Sequence, residues 1–327
     1  MLRSSNLAAL LVIIIYTHGS AQLDPVLLED HIINDLSNSS FYERLIEVNN
    51  GDTVLKPEFA YLDELEIHGI TYLSDGLKVK GYYVSPKAKG KYPCVIWNRG
   101  GNREFGMNRF STLVYVLAPL AQKGYVVIAS QYRGVEGGEG MEEFGGAEVN
   151  DILNLPDVLG EIPKTDTSKI GMYGWSRGGM MTYLALTRTD RIKAAAVGGG
   201  VSDLEAMIAD RPDIGTHVAA ELIPDYESNK EAALKARSAI NWANKFPKDV
   251  PLLIMHGTSD WRVKPDQSMK LAIELEKERV PFRLIMYEGA DHGINEFDAD
   301  VLEQVSNWFD RFLNNDEALP DMEYHGR

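Results

Sequence analysis

Lys169-Ile170-Gly171-Met172-Tyr173-Gly174-Trp175-Ser176-Arg177-Gly178-Gly179 reads as a strand, a one-residue corner and the first turn of a helix, with a serine at the corner. Glycines on both sides of Ser176 let the chain turn sharply and let the helix approach the strand, so the hydroxyl is held exposed in a strained, fixed position. The helix starting at Arg177 aims its unbonded N–H groups and positive dipole end at the point where an attacked carbonyl would become negative. Taken alone, Gly-x-Ser-x-Gly also fits an ordinary strand-to-helix turn. The segments that follow decide between the two.

Pro251-Leu252-Leu253-Ile254-Met255-His256-Gly257 has the continuous apolar character of a strand buried on both faces, and it runs into Thr258-Ser259-Asp260-Trp261-Arg262-Val263. Pro281–Gly289 is a further strand, followed by Ala290-Asp291-His292-Gly293. In a parallel sheet the loops after the strands gather at one edge, so Ser176, Asp260 and His292 can meet there. A serine hydroxyl is a poor nucleophile until a base takes its proton, and that base needs a third group to fix its tautomer and stabilise its cation. Ser176 is the expected nucleophile, His292 the base and then acid, and Asp260 the orienting carboxylate. His256 and Asp291 compete for the last two roles, but a histidine at a strand end suits a buried scaffold, and Asp291 is adjacent to His292. The order Ser, Asp, His is that of α/β-hydrolases.

An oxyanion needs donors from two places. The backbone N–H of Arg177 is one, and the loop Asn98-Arg99-Gly100-Gly101-Asn102, after the run Tyr92–Trp97, is the expected source of the other, with Arg99 and Gly100 as candidates. Strand-like runs recur at 65–73, 77–86, 92–98, 125–132, 169–174, 194–198, 251–257 and 281–288, and from the third onward they alternate with helical stretches near 107–123, 147–160, 177–189, 264–279 and 297–314. The expected architecture is an α/β-hydrolase fold over 65–314, with an eight-stranded, mostly parallel doubly wound sheet. Residues 202–248 are too long for a plain connection and carry apolar residues at helical spacing, which predicts a helical cap. Residues 22–64, with Leu27, Leu28, Ile32, Ile33 and Leu36 at helical intervals, are expected to form a helical extension, and 315–327 a polar tail.

The first 21 residues read differently. Arg3, an apolar run from Leu7 to Tyr16 and Gly19-Ser20-Ala21 have the layout of a signal peptide cleaved near Ala21, so the mature chain is expected to be exported, periplasmic or secreted, and not held in a membrane. The single cysteine, Cys94, lies in a strand and is expected to be a buried apolar residue. A formal charge of −15 provides no electrostatic footprint for nucleic acid. No metal-ligand cluster or phosphate loop is visible, so no metal and no cofactor is expected, and no feature specifies an oligomeric state.

Gly-Trp-Ser-Arg-Gly-Gly at 174–179, Gln131-Tyr132-Arg133-Gly134 with the glycine-rich stretch to Gly146, His256-Gly257-Thr258-Ser259-Asp260 and Glu288-Gly289-Ala290-Asp291-His292-Gly293 together resemble the catalytic domain of the prolyl oligopeptidase family of serine peptidases. The resemblance implies that Arg262 contacts a carbonyl of bound peptide, that Trp175 and Leu204 are substrate-facing, and that Tyr132-Arg133-Gly134 and Asp151 brace the loop after the fourth strand. The chain departs from the family in having no N-terminal propeller, Arg99 where many members place an oxyanion tyrosine, and Arg177 and Leu204 where peptidase members carry aromatic residues. A serine hydrolase of small peptides is therefore expected, with a carbohydrate or carboxylic ester as the rival substrate and a non-catalytic binding protein on the same scaffold as the reading from another class.

Overall fold

The computed structural model describes residues 25–33 and 41–326; the expected signal peptide over 1–21, its cleavage site and Leu36 lie outside the described residues. The strands in chain order are β1 (Leu27–Ile32), β2 (Ile46–Asn49), β3 (Asp52–Leu55), β4 (Leu65–Ser74), β5 (Leu77–Pro86), β6 (Tyr92–Asn98), β7 (Val126–Ser130), β8 (Thr165–Trp175), β9 (Ala194–Gly198), β10 (Leu252–Gly257) and β11 (Phe282–Tyr287). Nine of them form one sheet in the order β1-β4-β5-β7-β6-β8-β9-β10-β11. The first three pairings are antiparallel and the rest parallel.

Alternation along the central strands sends successive side chains to two separate cores. Ile96, Val126, Ile128, Ile170 and Met172 face the core under the helix Arg177–Leu186 and the cap, while Val95, Trp97, Val127, Ala129 and Tyr173 face the helices Ala118–Gln122 and Asp298–Phe309. Burial on both faces is why these runs were continuously apolar in sequence. The helix expected over 107–123 is present in pieces, with one π-helical turn at Leu113–Leu117 just before Pro119, whose missing N–H interrupts the ordinary ladder.

Two expectations are corrected. The sheet has nine strands rather than eight, because residues 27–32 form β1 and not a helix: they pair antiparallel with β4, from Leu27 opposite Tyr72 to Ile32 opposite His68. The open edge of β4 supplies unpaired N–H and C=O groups, and satisfying these outweighs a weak helical periodicity. Among the described residues 41–64, only Tyr42–Leu45 is α-helix, followed by the β2–β3 hairpin and a 3-10 stretch at Pro57–Glu64. Asn50 and Gly51 both have positive φ, 51° and 93°, so this Asn-Gly pair forms the kind of tight turn that favours a hairpin.

Within the span expected to be a cap, residues 204–245 form a chain of short helices. Asp203 caps the first, its carboxylate accepting the Ala206 N–H at 3.0 Å. The cap is tied to both walls of the sheet edge. Arg211 donates to the Arg262 carbonyl at 3.4 Å and Lys264 pairs with Asp210 at 2.5 Å, while at the other end Arg103 pairs with Glu221 at 2.5 Å. Cavities lined by Ile32, Leu62 and Leu65, and by Pro86 and Tyr92, lie at the opposite end of the strands.

Candidate active site

Ser176 has φ 59° and ψ −124°, a conformation that costs free energy and is held by its surroundings. Its N–H donates to the Gly198 carbonyl at 2.9 Å, and its carbonyl accepts from Gly179 and Val201. A Cβ at Gly178 would collide with the Asn98 carbonyl, and one at Gly174 with the Gly178 carbonyl and the Thr182 hydroxyl, so the corner admits only glycine at both places.

Register brings the neighbouring loop alongside. Asn98 of β6 pairs with Gly174 of β8, which places Gly100 against the serine: a Cβ on Gly100 would lie 3.1 Å from Ser176 Cβ and 3.7 Å from its Oγ. The backbone N–H groups of Gly100 and Arg177 have no hydrogen-bond acceptor among the described residues. Two donors therefore border one hydroxyl, the arrangement that stabilises a tetrahedral oxyanion.

On the far side, β9 ends at Gly198 and is followed by Gly199 and Gly200. A Cβ at Gly199 would sit 3.3 Å from the His292 ring and 3.4 Å from Asp260 Oδ2, so its absence lets those side chains pack beside the strand that binds the Ser176 N–H. His292 Nδ1 lies 2.6 Å from Asp260 Oδ2. The Ser176 hydroxyl makes no hydrogen bond to the ring among the described residues. Burial pushes the Asp260 pKa up, but hydrogen bonds from His256 and His292 and the backbone N–H of Val263 outweigh it and hold the carboxylate far below its ordinary range.

Asp260 is shared between two histidines. His256 Nε2 lies 3.1 Å from Asp260 Oδ2 and 2.8 Å from the Val263 carbonyl, while its Nδ1 lies 2.6 Å from Ser268 Oγ, and the ring is wholly buried. Both of its nitrogens are engaged, so it is a scaffold. Asp291, the other competitor, is exposed and accepts the Gly293 N–H at 2.8 Å. Trp175 is half-buried and donates from Nε1 to the His292 carbonyl at 2.9 Å, which anchors the histidine loop.

Two side-chain expectations are corrected. Arg99 is buried with Nε and Nη2 on the Gln131 carbonyl, Nη1 on the Gly100 carbonyl and Nη2 also on that of Arg103, so four of its five N–H groups are committed to backbone carbonyls rather than to an oxyanion. Burial and the nearby Arg177 push its pKa down to about 10. Leu204 is fully buried in the core and does not face a substrate. Arg262 remains exposed at the rim, its guanidinium 5.6 Å from the Trp261 ring centroid and without an ion pair among the described residues.

A network around the elbow went unread in the sequence. Arg177 is buried, donating to Glu142 at 2.6 Å, to Glu148 at 2.5 Å and to the Gly101 carbonyl at 2.8 Å, with Tyr132 and Phe144 rings packed against it. Burial would lower the Arg177 pKa, but the two glutamates reverse that and raise it. Further along the same loop, Arg133 grips Asp151 through its backbone N–H, Nε and Nη2, the bracing that the family resemblance implied. For Arg177 and its glutamates, the glycine-rich run 134–146 studded with glutamates was the available signal.

A family model described as "Prolyl oligopeptidase family" matches residues 108–316. The chain belongs to that family. As a prolyl oligopeptidase family member it is a serine-type hydrolase, with serine peptidases as relatives. It is 29% identical over 246 residues to the Bacillus subtilis (strain 168) protein named "Uncharacterized peptidase YtmA", covering 75% of this chain and 93% of that one. It is 27% identical over 241 residues to the dipeptidyl-peptidase 5 of Porphyromonas gingivalis, covering 68% of this chain and 34% of the relative. Among solved structures, the Pyrococcus horikoshii acylaminoacyl peptidase superposes with a TM-score of 0.66 at 25% identity, over 81% of this chain and 45% of its own. A puromycin-hydrolyzing peptidase of Mycobacterium tuberculosis gives 0.64 at 25% identity, over 82% and 43%. The family member thus spans nearly all of one relative and less than half of the other three.

Proposed function

We propose that this family member is an exported hydrolase of small peptides that works through a Ser176–His292–Asp260 triad and an acyl-enzyme. The observation carrying the reading is the strained Ser176 corner flanked by the two unpaired N–H groups of Gly100 and Arg177 on one side and by the His292–Asp260 pair over Gly199 on the other. Ser176 Oγ attacks the carbonyl carbon while His292 Nε2 takes the hydroxyl proton, and the oxyanion accepts from the N–H groups of Arg177 and Gly100. The C–N bond then breaks as His292 returns the proton to the leaving amine. Water, deprotonated by the same ring, adds to the ester carbonyl, and its collapse frees the acid and restores the serine.

Asp260 holds the ring's Nδ1–H and stabilises the imidazolium, and His256 keeps Asp260 in place. The cap, tied to the loops on both sides of the serine, narrows the approach and favours short substrates. The layout of residues 1–21 supports export with cleavage near Ala21.

The test is a fluorophosphonate probe followed by a substrate comparison. The mature wild type labels at Ser176, and Ser176→Ala does not. Turnover of short N-acyl or free peptides as amides supports the peptidase; turnover of p-nitrophenyl esters with none of any peptide amide replaces it with an esterase. Absence of both labelling and turnover defeats the hydrolase reading.

A further inference from the structure

Glu142 comes from the glycine-rich loop after β7, carries no part of the proposed proton relay, and is only 2% exposed. An isolated carboxylate is not buried without partners that stabilise its charge. Its Oε2 accepts from Arg177 Nη1 at 2.6 Å, its Oε1 accepts the backbone N–H of Arg103, and Arg99 Nη2 lies 3.9 Å from Oε2. All three partners border the oxyanion position: Arg177 supplies one N–H, and residues 99–103 are the loop that supplies the N–H of Gly100.

That loop needs an external clamp. It leaves regular structure after Asn98, contains two adjacent glycines, and has positive φ at Gly101 and Arg103. Glycines leave many backbone states open, whereas an oxyanion donor acts only when fixed in advance. Arg177 Nη1 joins the two sides directly, donating to Glu142 and to the Gly101 carbonyl together. Glu148 differs in kind. It holds the other Arg177 nitrogen, but its remaining partners are the N–H groups of Glu143, Gly145 and Gly146 in its own segment.

We propose that Glu142 is a positioning residue for acyl transfer: by holding the Arg177 side chain and the Arg103 N–H on one carboxylate, it sets the spacing between the two oxyanion donors. The role rests on the triad reading above. Because those donors act on the transition state more than on the bound substrate, loss of the clamp should lower kcat and leave KM nearly unchanged.

Glu142→Gln, Glu142→Asp and Asp151→Asn are compared with the wild type by thermal melting and by kcat and KM on one p-nitrophenyl ester. Asp151 is an equally buried partner of Arg133, which makes no hydrogen bond or ion pair to residues 99–103 among the described residues, so it reports what losing a buried ion pair does by itself. In Glu142→Gln kcat falls about 10- to 100-fold with KM within about twofold, a donor displaced rather than deleted. Glu142→Asp, which keeps the charge, recovers part of the loss and also serves if the Gln variant fails to fold. Asp151→Asn lowers the melting temperature and holds kcat. An unchanged kcat in folded Glu142→Gln, or an equal fall in Asp151→Asn, overturns the positioning role while leaving the hydrolase standing. A wild type that neither labels nor turns over removes both.

Discussion

At the edge where β6, β8, β10 and β11 end, Asp260, Glu142, Glu148 and Arg177 are each 3% exposed or less and every one has a charged or hydrogen-bonding partner. Along β1, Glu29 and Asp30 reach Thr71, His68 and Tyr83 from an exposed strand. The two regions use the same residue types to different ends. At the rim, charges are held in a dry, fixed geometry, where removing one partner leaves another buried and unpaired. At β1, water can replace a lost partner, so the contacts fasten a strand without determining what it does.

Four substitutions can break or sharpen that contrast. Ser176→Ala should lower kcat/KM by about 10⁵-fold while the melting temperature barely moves, since the loss is confined to chemistry; a large destabilisation would show the hydroxyl to be structural. Asp260→Asn should lower kcat by about 10⁴-fold through loss of ring orientation. It also has a pH signature. The folded-state pKa of Asp260 is depressed, so the ionised carboxylate stabilises the protein above about pH 3.9, the unfolded value, and that contribution disappears as pH falls toward the folded pKa. The stability gap between wild type and Asp260→Asn, followed by urea unfolding from pH 7 downward, should therefore narrow only at acid pH; a gap independent of pH would contradict the assignment.

Gly178→Ala should destabilise by about 3 kcal/mol, because a methyl group there meets the Asn98 carbonyl, and it should disturb turnover by moving the elbow. A variant with native stability and rate would mean that the corner is more yielding than its contacts imply. Asp30→Asn should have the smallest effect, about 1 kcal/mol or less, for one histidine contact and one tyrosine hydrogen bond on a partly exposed strand. Its kcat should equal that of the wild type. A fall in kcat would show that β1 communicates with the rim.

The legible parts of the molecule were those whose signal is local. Residues 92–98, 169–174 and 251–257 announced themselves as strands because burial on both faces demands unbroken apolar runs, and the Ser176 corner did so because its glycines answer contacts within a few positions. The Asn50-Gly51 turn carries an equally local signal, yet it went unread because the apolar spacing before it suggested helix. β1 was not legible: its pattern is that of neither a buried strand nor a strong helix, and the deciding partner, the open edge of β4, lies some forty residues away.

Composition and spacing by themselves determined the parallel sheet, the elbow, and the set of nucleophile, acid and base candidates at its edge, because backbone period and steric need act over short stretches of chain. Only the folded molecule decided what the arginines and glutamates do. Arg99 turned inward to carbonyls, Leu204 went into the core and Glu142 became a clamp, since the fate of a charged or apolar side chain depends on which distant groups surround it after the water has gone.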